Sequence, residues 1–82
     1  MSDIALLTAA ERETLTLLAD HGLNISRVSE ASFYSRKAIY DRIRNIKEKT
    51  GIDPQDFWGL HRLLTLMEEE KEANGHQQGG AG

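Results

Sequence analysis

The segment "SRKAIYDRIRNIKEKTG", residues 35–51, decides the fold of this chain. Its three isoleucines, Ile39, Ile43 and Ile46, recur at helical spacing, which predicts an α-helix with one narrow apolar side. The serine at its start is a favourable N-cap, and the glycine at its end is typical of a left-handed helix stop. The segment therefore predicts one complete helix with a defined start, inward face and end.

The outer side of the same predicted helix is basic. Six of the ten Lys and Arg residues lie between residues 36 and 49, together with two carboxylates, Asp41 and Glu48. The cations are Arg36, Lys37, Arg42, Arg44, Lys47 and Lys49. The segment therefore has a net charge of +4, whereas the whole chain has −3. Such an asymmetry indicates a polyanionic partner.

Two shorter helices are predicted before this segment. Thr8 and Glu11 have the spacing of a capping box, and Gly22 is the predicted stop of the first helix. The inward residues of the first helix are Leu15, Leu18 and Ala19. The second helix is expected to begin after Asn24 and to end near Ser32. Its inward residues are Val28 and Ala31.

A fourth helix is predicted with Asp53 as N-cap, Pro54 at its first position and Asp56 in its first turn. Ile52 is expected to pack on Phe57 as a hydrophobic staple. The apolar face consists of Phe57, Leu60, Leu64 and Met67, widened by Leu63 and Leu66. Beyond it, the polar, glycine-rich stretch at the end of the chain is predicted to be disordered.

The fold class that follows is all-α: a four-helix, helix-turn-helix domain over residues 1–72 with a disordered tail over residues 73–82. A chain of 82 residues has room for a single core. Cysteine is absent, which excludes disulfides and thiolate metal sites. No apolar run approaches the roughly 20 residues that span a bilayer, and the acidic start lacks the basic region of a signal peptide. We expect a soluble, cytoplasmic protein without membrane contact.

Catalytic chemistry is not indicated. The three histidines, His21, His61 and His76, lack the spacing of metal ligands. No serine has a plausible base held beside it, and the glycines of the tail do not follow a strand as a phosphate-binding loop requires. We therefore expect neither an enzyme nor a cofactor or metal site.

Residues 7–64 resemble known DNA-binding families. The front resembles the LuxR/GerE-type domain in Leu7-Thr8, Glu11-Arg12-Glu13 and Leu17-Leu18-Ala19. The middle resembles the C-terminal helix-turn-helix of PucR-type regulators, which share a Fis-like pattern. The residues that carry this second resemblance are Asn24-Ile25-Ser26-Arg27, Glu30-Ala31, Arg36, Arg42, Ile46, Glu48, Thr50-Gly51 and Asp53.

The resemblance implies that the third helix reads double-stranded DNA. By resemblance, the contacts are assigned to Ser35, Arg36, Lys37, Tyr40, Asp41 and Arg44. Arg36, Lys37 and Arg44 are the first candidates, while Arg27 and Lys47 are expected to hold the phosphate backbone. The families usually carry alanine and leucine where this chain has Ser29 and Ser32. These serines would weaken the core unless Phe33 and Tyr34 fill the space that the apolar side chains of the families occupy.

Each feature of the basic side also has a simpler interpretation. The cations could form a solvated surface with ion pairs such as Arg44 with Glu48. Tyr40 could be a core aromatic rather than an exposed contact. Asp41 could accept a hydrogen bond from cytosine, or it could tether Lys37 or Arg44.

The fourth helix carries more apolar residues than one inward face can bury, which favours an interface between two copies. The predicted homodimer residues are Trp58, Leu63, Leu66 and Met67. We therefore expect a small homodimeric transcription regulator. Two other classes remain open: a protein-binding adaptor that docks on RNA polymerase or another regulator, as sigma-like domains do, and an architectural DNA-binding protein with little sequence preference.

Overall fold

A computed structural model describes the backbone of residues 3–81 and the side chains of residues 4–72. A 3₁₀ helix, Asp3–Leu6, precedes four α-helices. These are α1 (Ala9–Asp20), α2 (Ile25–Ala31), α3 (Arg36–Thr50) and α4 (Phe57–Ala81). No strand occurs in this described part of the chain, and the predicted all-α, four-helix class is confirmed. The prediction that residues 73–82 are disordered falls on residues whose side chains are not described.

The first helix is capped at both ends. Thr8 N donates to Glu11 Oε1 at 2.9 Å and Glu11 N donates to Thr8 Oγ1 at 3.1 Å, so the predicted capping box is confirmed. At the other end, Leu23 N donates to Leu18 O at 2.8 Å around Gly22, whose φ is 62°. This is the Schellman pattern of helix termination. Leu23 also has a positive φ, 65°, and its side chain packs against the core.

The helices α2 and α3 begin and end where the sequence predicts. The side chains of Asn24 and Ser35 each accept the backbone N–H three residues further on, both at 3.1 Å. Ser32 directly follows α2. Gly51 ends α3 in the left-handed region, with φ 72°. These local signals act within a few residues, and the prediction of both helices is confirmed.

The start of α4 differs from the prediction by three residues. Asp56, rather than Asp53, is the N-cap, because Asp56 Oδ2 accepts from Gly59 N at 2.9 Å. Asp53 instead accepts from Gln55 N at 2.9 Å and forms a turn. Aspartate stabilises such turns as well as helix starts, so two aspartates three residues apart made the boundary ambiguous. Pro54 is consequently buried in this turn and does not open the helix.

The core lies between the 3₁₀ helix and the four α-helices. Ile39, Ile43 and Ile46 are all buried, which confirms the predicted inward stripe of α3. They pack with Ile4, Leu7, Leu15, Leu18, Val28, Leu60 and Leu63. The two alanines predicted to point inward, Ala19 and Ala31, are exposed.

The inward face of α4 was assigned partly wrongly. Phe57 is 60% exposed, so it forms no staple with Ile52. Leu63 is fully buried and Leu60 nearly so, whereas Leu64, Leu66 and Met67 are half-buried and pack at the edge of the core. The later start of α4 explains the error at Phe57, because this residue lies in the first turn rather than against the bundle.

Candidate nucleic-acid interface

The turn between α2 and α3 is fixed by the two serines that depart from the family pattern. Ser32 Oγ donates to Val28 O at 2.7 Å and accepts from Tyr34 N at 3.3 Å. Ser29 Oγ donates to Tyr34 O at 3.0 Å. Their polar atoms are therefore satisfied, and the serines hold the geometry of the turn.

Tyr34 connects this turn to α1 and α3. Its hydroxyl donates to Glu13 at 2.6 Å, and its ring lies 3.7 Å from the guanidinium carbon of Arg42. A guanidinium over an aromatic face at this distance is a stabilising cation–π contact. Nη1 of Arg42 is buried there. Arg42 is therefore a structural cation, and Tyr34 is the aromatic that occupies the space near the serines.

Lys49 is also used by the fold. Its Nζ donates to Glu11 Oε1 at 2.7 Å, which joins the end of α3 to the start of α1. The Glu11 side chain is only 6% exposed. Burial raises the pKa of Glu11, but the hydrogen bonds from Lys49 and Thr8 outweigh burial and hold the pKa below its ordinary value of 4.5.

The other four cations of α3 point away from the core. At 3.6 residues per turn, Arg36, Lys37, Arg44 and Lys47 fall within an arc of about 100° around the helix, beside the arc that holds the isoleucines. All four are exposed. We call these four residues the basic face. It spans roughly 16 Å along the helix axis, at 1.5 Å per residue.

Asp41 lies at the edge of the basic face. Its Oδ2 accepts from Lys37 Nζ at 3.2 Å and its Oδ1 accepts from Arg44 Nη2 at 3.4 Å. The two cations remain largely exposed, by 86% and 66% of their side chains. Asp41 is therefore a tether for both cations, and Arg44 pairs with it rather than with Glu48.

The remaining predicted contacts are also accessible. Tyr40 is 48% exposed and lies on the same arc as the basic face, so it is not a core aromatic. Ser35 is exposed at the N-terminus of α3, where its hydroxyl caps the helix. Arg27 is exposed in the first turn of α2. The structure thus brings Ser35 and Tyr40 together with the basic face on α3, while Arg27 lies on a separate helix.

The predicted dimer residues of α4 are not equivalent. Trp58 is 71% exposed and its ring lies 5.0 Å from that of Phe57. Leu63 is fully buried within the monomer, so its assignment to an interface was wrong. Leu66 and Met67 are half-buried against the core. An open apolar groove lies beside the two exposed rings, between the end of α1 and the start of α4, and Leu23, Leu60 and Leu64 line it.

One exposed aromatic was missed by the sequence reasoning. Phe33, in the turn before α3, is completely exposed, although it was considered as a core residue. Its two neighbours in the sequence, Ser32 before it and Tyr34 after it, are held inward by the hydrogen bonds of the turn. Alternation in an extended turn would have predicted that the residue between them points outward.

The described residues contain no cluster of His, Cys, Asp or Glu that could hold a metal ion. No helix in this part of the chain is long and apolar enough to cross a membrane.

A short helix, a fixed turn and a longer helix with a basic outer side form a helix-turn-helix domain of the DNA-binding type. The sequence agrees with the geometry: the PucR C-terminal helix-turn-helix domain matches residues 12–68, more than half of the chain. The chain belongs to this family. The matched range includes α2, the turn and all of α3.

No curated protein and no solved structure matches the chain. The similarity of residues 7–19 to LuxR/GerE-type domains stays a prediction.

Proposed function

We propose that the chain is a cytoplasmic, sequence-specific transcriptional regulator that binds double-stranded DNA as a homodimer, with α3 in the major groove. The observation that carries the proposal is the division of the α3 cations. Arg42 and Lys49 are engaged with other helices or the turn, whereas the four cations of the basic face stay exposed. An exposed helix side of this charge fits the major groove and can reach phosphates and base edges together.

The position of each cation suggests its role. Arg36 and Lys37 occupy the first turn, where recognition helices meet base edges. Cations at a helix N-terminus oppose the helix dipole by about 0.3–1 kcal/mol each, so their placement favours a binding role over a stabilising one. Arg44 lies further along the same side, where its planar guanidinium could pair with a guanine. Arg27 and Lys47 lie toward the limits of the surface and would contact phosphates.

Substitution of Arg44 distinguishes a contact with one base from electrostatic attraction to DNA of any sequence. If Arg44 pairs with a guanine through two hydrogen bonds, Arg44→Ala should cost about 1–3 kcal/mol of specific binding. The loss should disappear when the guanine is replaced, because the contact is then already absent. Equilibrium binding to the two duplexes measures the effect. Equal losses on both duplexes would contradict the assigned role of Arg44.

A dimer would make more contacts with DNA than one small domain can make. The chain carries a net charge of −3, and a single recognition helix makes few phosphate contacts. Two-fold pairing would place two recognition helices about one DNA turn apart. Trp58 and Phe57, together with the adjacent groove, are the exposed apolar surface of α4 that such pairing could cover.

Selection of bound duplexes from a random pool tests the proposal. We expect a two-fold repeated motif with half-sites separated by about one helical turn. The Arg36→Ala, Lys37→Ala variant is the matched comparison, since both residues are exposed and the fold should not depend on them. A pool that shows no enrichment would contradict sequence-specific binding, and a single unrepeated motif would contradict the homodimer.

A protein-binding adaptor is the second candidate, and the exposed Phe57–Trp58 pair favours it. The two classes differ in their response to salt. DNA binding through the basic face should weaken steeply as salt rises, whereas capture of a protein through the two aromatic rings should not. Salt-sensitive binding without sequence preference would instead identify an architectural DNA-binding protein.

A further inference from the structure

Phe33 is the most exposed large apolar side chain among the described residues. Full exposure of a phenylalanine forgoes the stabilisation that burial of such a side chain provides. Single exposed apolar residues are common on protein surfaces, so exposure alone assigns no role. Two further observations concern its placement.

The backbone around Phe33 is held rigidly. The Ser29 and Ser32 side chains make three hydrogen bonds to Val28 and Tyr34, on both sides of the phenylalanine. Tyr34 is in turn anchored by Glu13 and Arg42. The position of the Phe33 backbone, and with it the direction of its Cα–Cβ bond, is therefore fixed before any partner binds, which lowers the backbone part of the entropy cost of a contact.

Phe33 is adjacent to the entry of α3. It precedes the N-cap Ser35 by two residues, so their Cα atoms are at most about 7 Å apart. Arg36 and Lys37 follow directly and are exposed. In helix-turn-helix proteins the N-terminal residues of the second helix approach the base edges, so a side chain at this position reaches the edge of the same groove.

The chemistry of the major groove includes one prominent apolar group, the C5-methyl of thymine, which phenylalanine can contact. We propose that Phe33 packs on a thymine methyl at the edge of the site read by α3. This contact makes Phe33 a specificity-determining residue. The inference rests on the proposed DNA-binding function and adds a base identity to it.

Replacement of thymine by uracil tests this contact, because uracil lacks only the methyl group. Each thymine of the selected duplex is replaced in turn, and the equilibrium affinity is measured for the parent, Phe33→Ala and Leu6→Ala. Leu6 is the matched control: it is an apolar residue, 61% exposed, in the 3₁₀ helix outside the turn. Thermal unfolding of all three proteins establishes that the fold is retained.

We expect one uracil position to weaken parent binding about fourfold, the effect of one methyl group removed from its apolar contact. Phe33→Ala should bind the thymine duplex more weakly by at least this factor and should be insensitive to uracil at that position. Leu6→Ala should behave as the parent does. The effects of the two changes are then not additive, and this coupling identifies the contact.

Four outcomes would overturn the inference. If no duplex is selected, the proposed function fails with it. If a duplex is selected but Phe33→Ala binds as the parent does, only the inference fails. If Phe33→Ala weakens binding while the uracil effect persists, Phe33 contacts the sugar-phosphate backbone. If Phe33→Ala changes the oligomeric mass in sedimentation, Phe33 belongs to a protein contact.

Discussion

At the scale of single residues, the cations of α3 have two different tasks. Arg42 lies over the ring of Tyr34 in the preceding turn, and Lys49 pairs with Glu11 at the start of α1, so both contacts serve the fold. Sequence periodicity could separate the basic side from the isoleucines, because that depends on helix geometry alone. It could not identify the two structural cations, because their partners become neighbours only in the folded chain.

Asp41 limits the positive charge of the basic face. Its removal by Asp41→Asn should release Lys37 and Arg44 and raise affinity for random duplex by up to about fivefold, the equivalent of a surface ion pair of about 0.2–1 kcal/mol. The ratio of specific to non-specific affinity should fall. Competition binding with random duplex measures both quantities, and Glu69→Gln on α4 controls for the charge change. Unchanged non-specific affinity would show that Asp41 has no such role.

Glu11 should make stability depend on pH. Burial raises its pKa, but the hydrogen bonds from Lys49 and Thr8 lower it further, so the folded pKa lies below 4.5. A carboxylate with a lowered folded pKa stabilises the protein above its unfolded pKa, and this stability is lost as pH falls through the folded value. The free energy of unfolding should therefore decline from about pH 4.5 downward.

Glu11→Gln isolates this charge effect, because glutamine can keep the capping box. Urea unfolding between pH 7 and pH 3 should show a difference between parent and variant that shrinks at the acidic end. Glu68→Gln, at an exposed position, serves as the control. A difference that stays constant with pH would mean that the ionised form of Glu11 does not contribute.

At the scale of elements, the sequence predicted those helix ends that are set by contacts between residues close in sequence. The caps at Thr8, Asn24 and Ser35 all act within three residues, and each was confirmed. The start of α4 was ambiguous because Asp53 and Asp56 can both cap. The burial of Leu63 was not predictable from α4 alone, since it depends on which side of that helix meets α1 and the 3₁₀ helix.

The turn before α4 leaves no room for a side chain at position 59, which is occupied by Gly59. A Cβ at this position would lie far inside van der Waals contact with the Asp53 carbonyl oxygen and 3.3 Å from Ile52 Cγ2. Alanine normally favours a helix over glycine by about 1 kcal/mol. Here the fixed backbone contact should dominate, and Gly59→Ala should destabilise the fold by about 1–3 kcal/mol.

Chemical unfolding of Gly59→Ala measures this effect. Thr65→Ala, at an exposed position of the same helix, is the matched control and should leave stability nearly unchanged. Stabilisation by Gly59→Ala would mean that the turn from Asp53 to Asp56 is not packed on α4 as described.

At the scale of the whole molecule, an acidic chain presents a basic side. The net charge of −3 opposes approach to DNA, whereas the four exposed cations of α3 attract it locally. Which effect dominates depends on how many phosphates the cations neutralise. Each neutralised phosphate releases counterions and adds about 0.9 to the slope of the logarithm of affinity against the logarithm of salt concentration.

The salt dependence of duplex affinity therefore tests the central claim most directly. The logarithm of the affinity is measured against the logarithm of salt concentration for the parent, Lys47→Ala and Lys71→Ala. Lys71 is an exposed lysine on α4, away from α3 in sequence. We predict a steep slope for the parent, a slope lower by about one per bound protomer for Lys47→Ala, and no change for Lys71→Ala. A parent affinity that does not depend on salt, or equal slopes for all three proteins, would contradict DNA binding through the basic face.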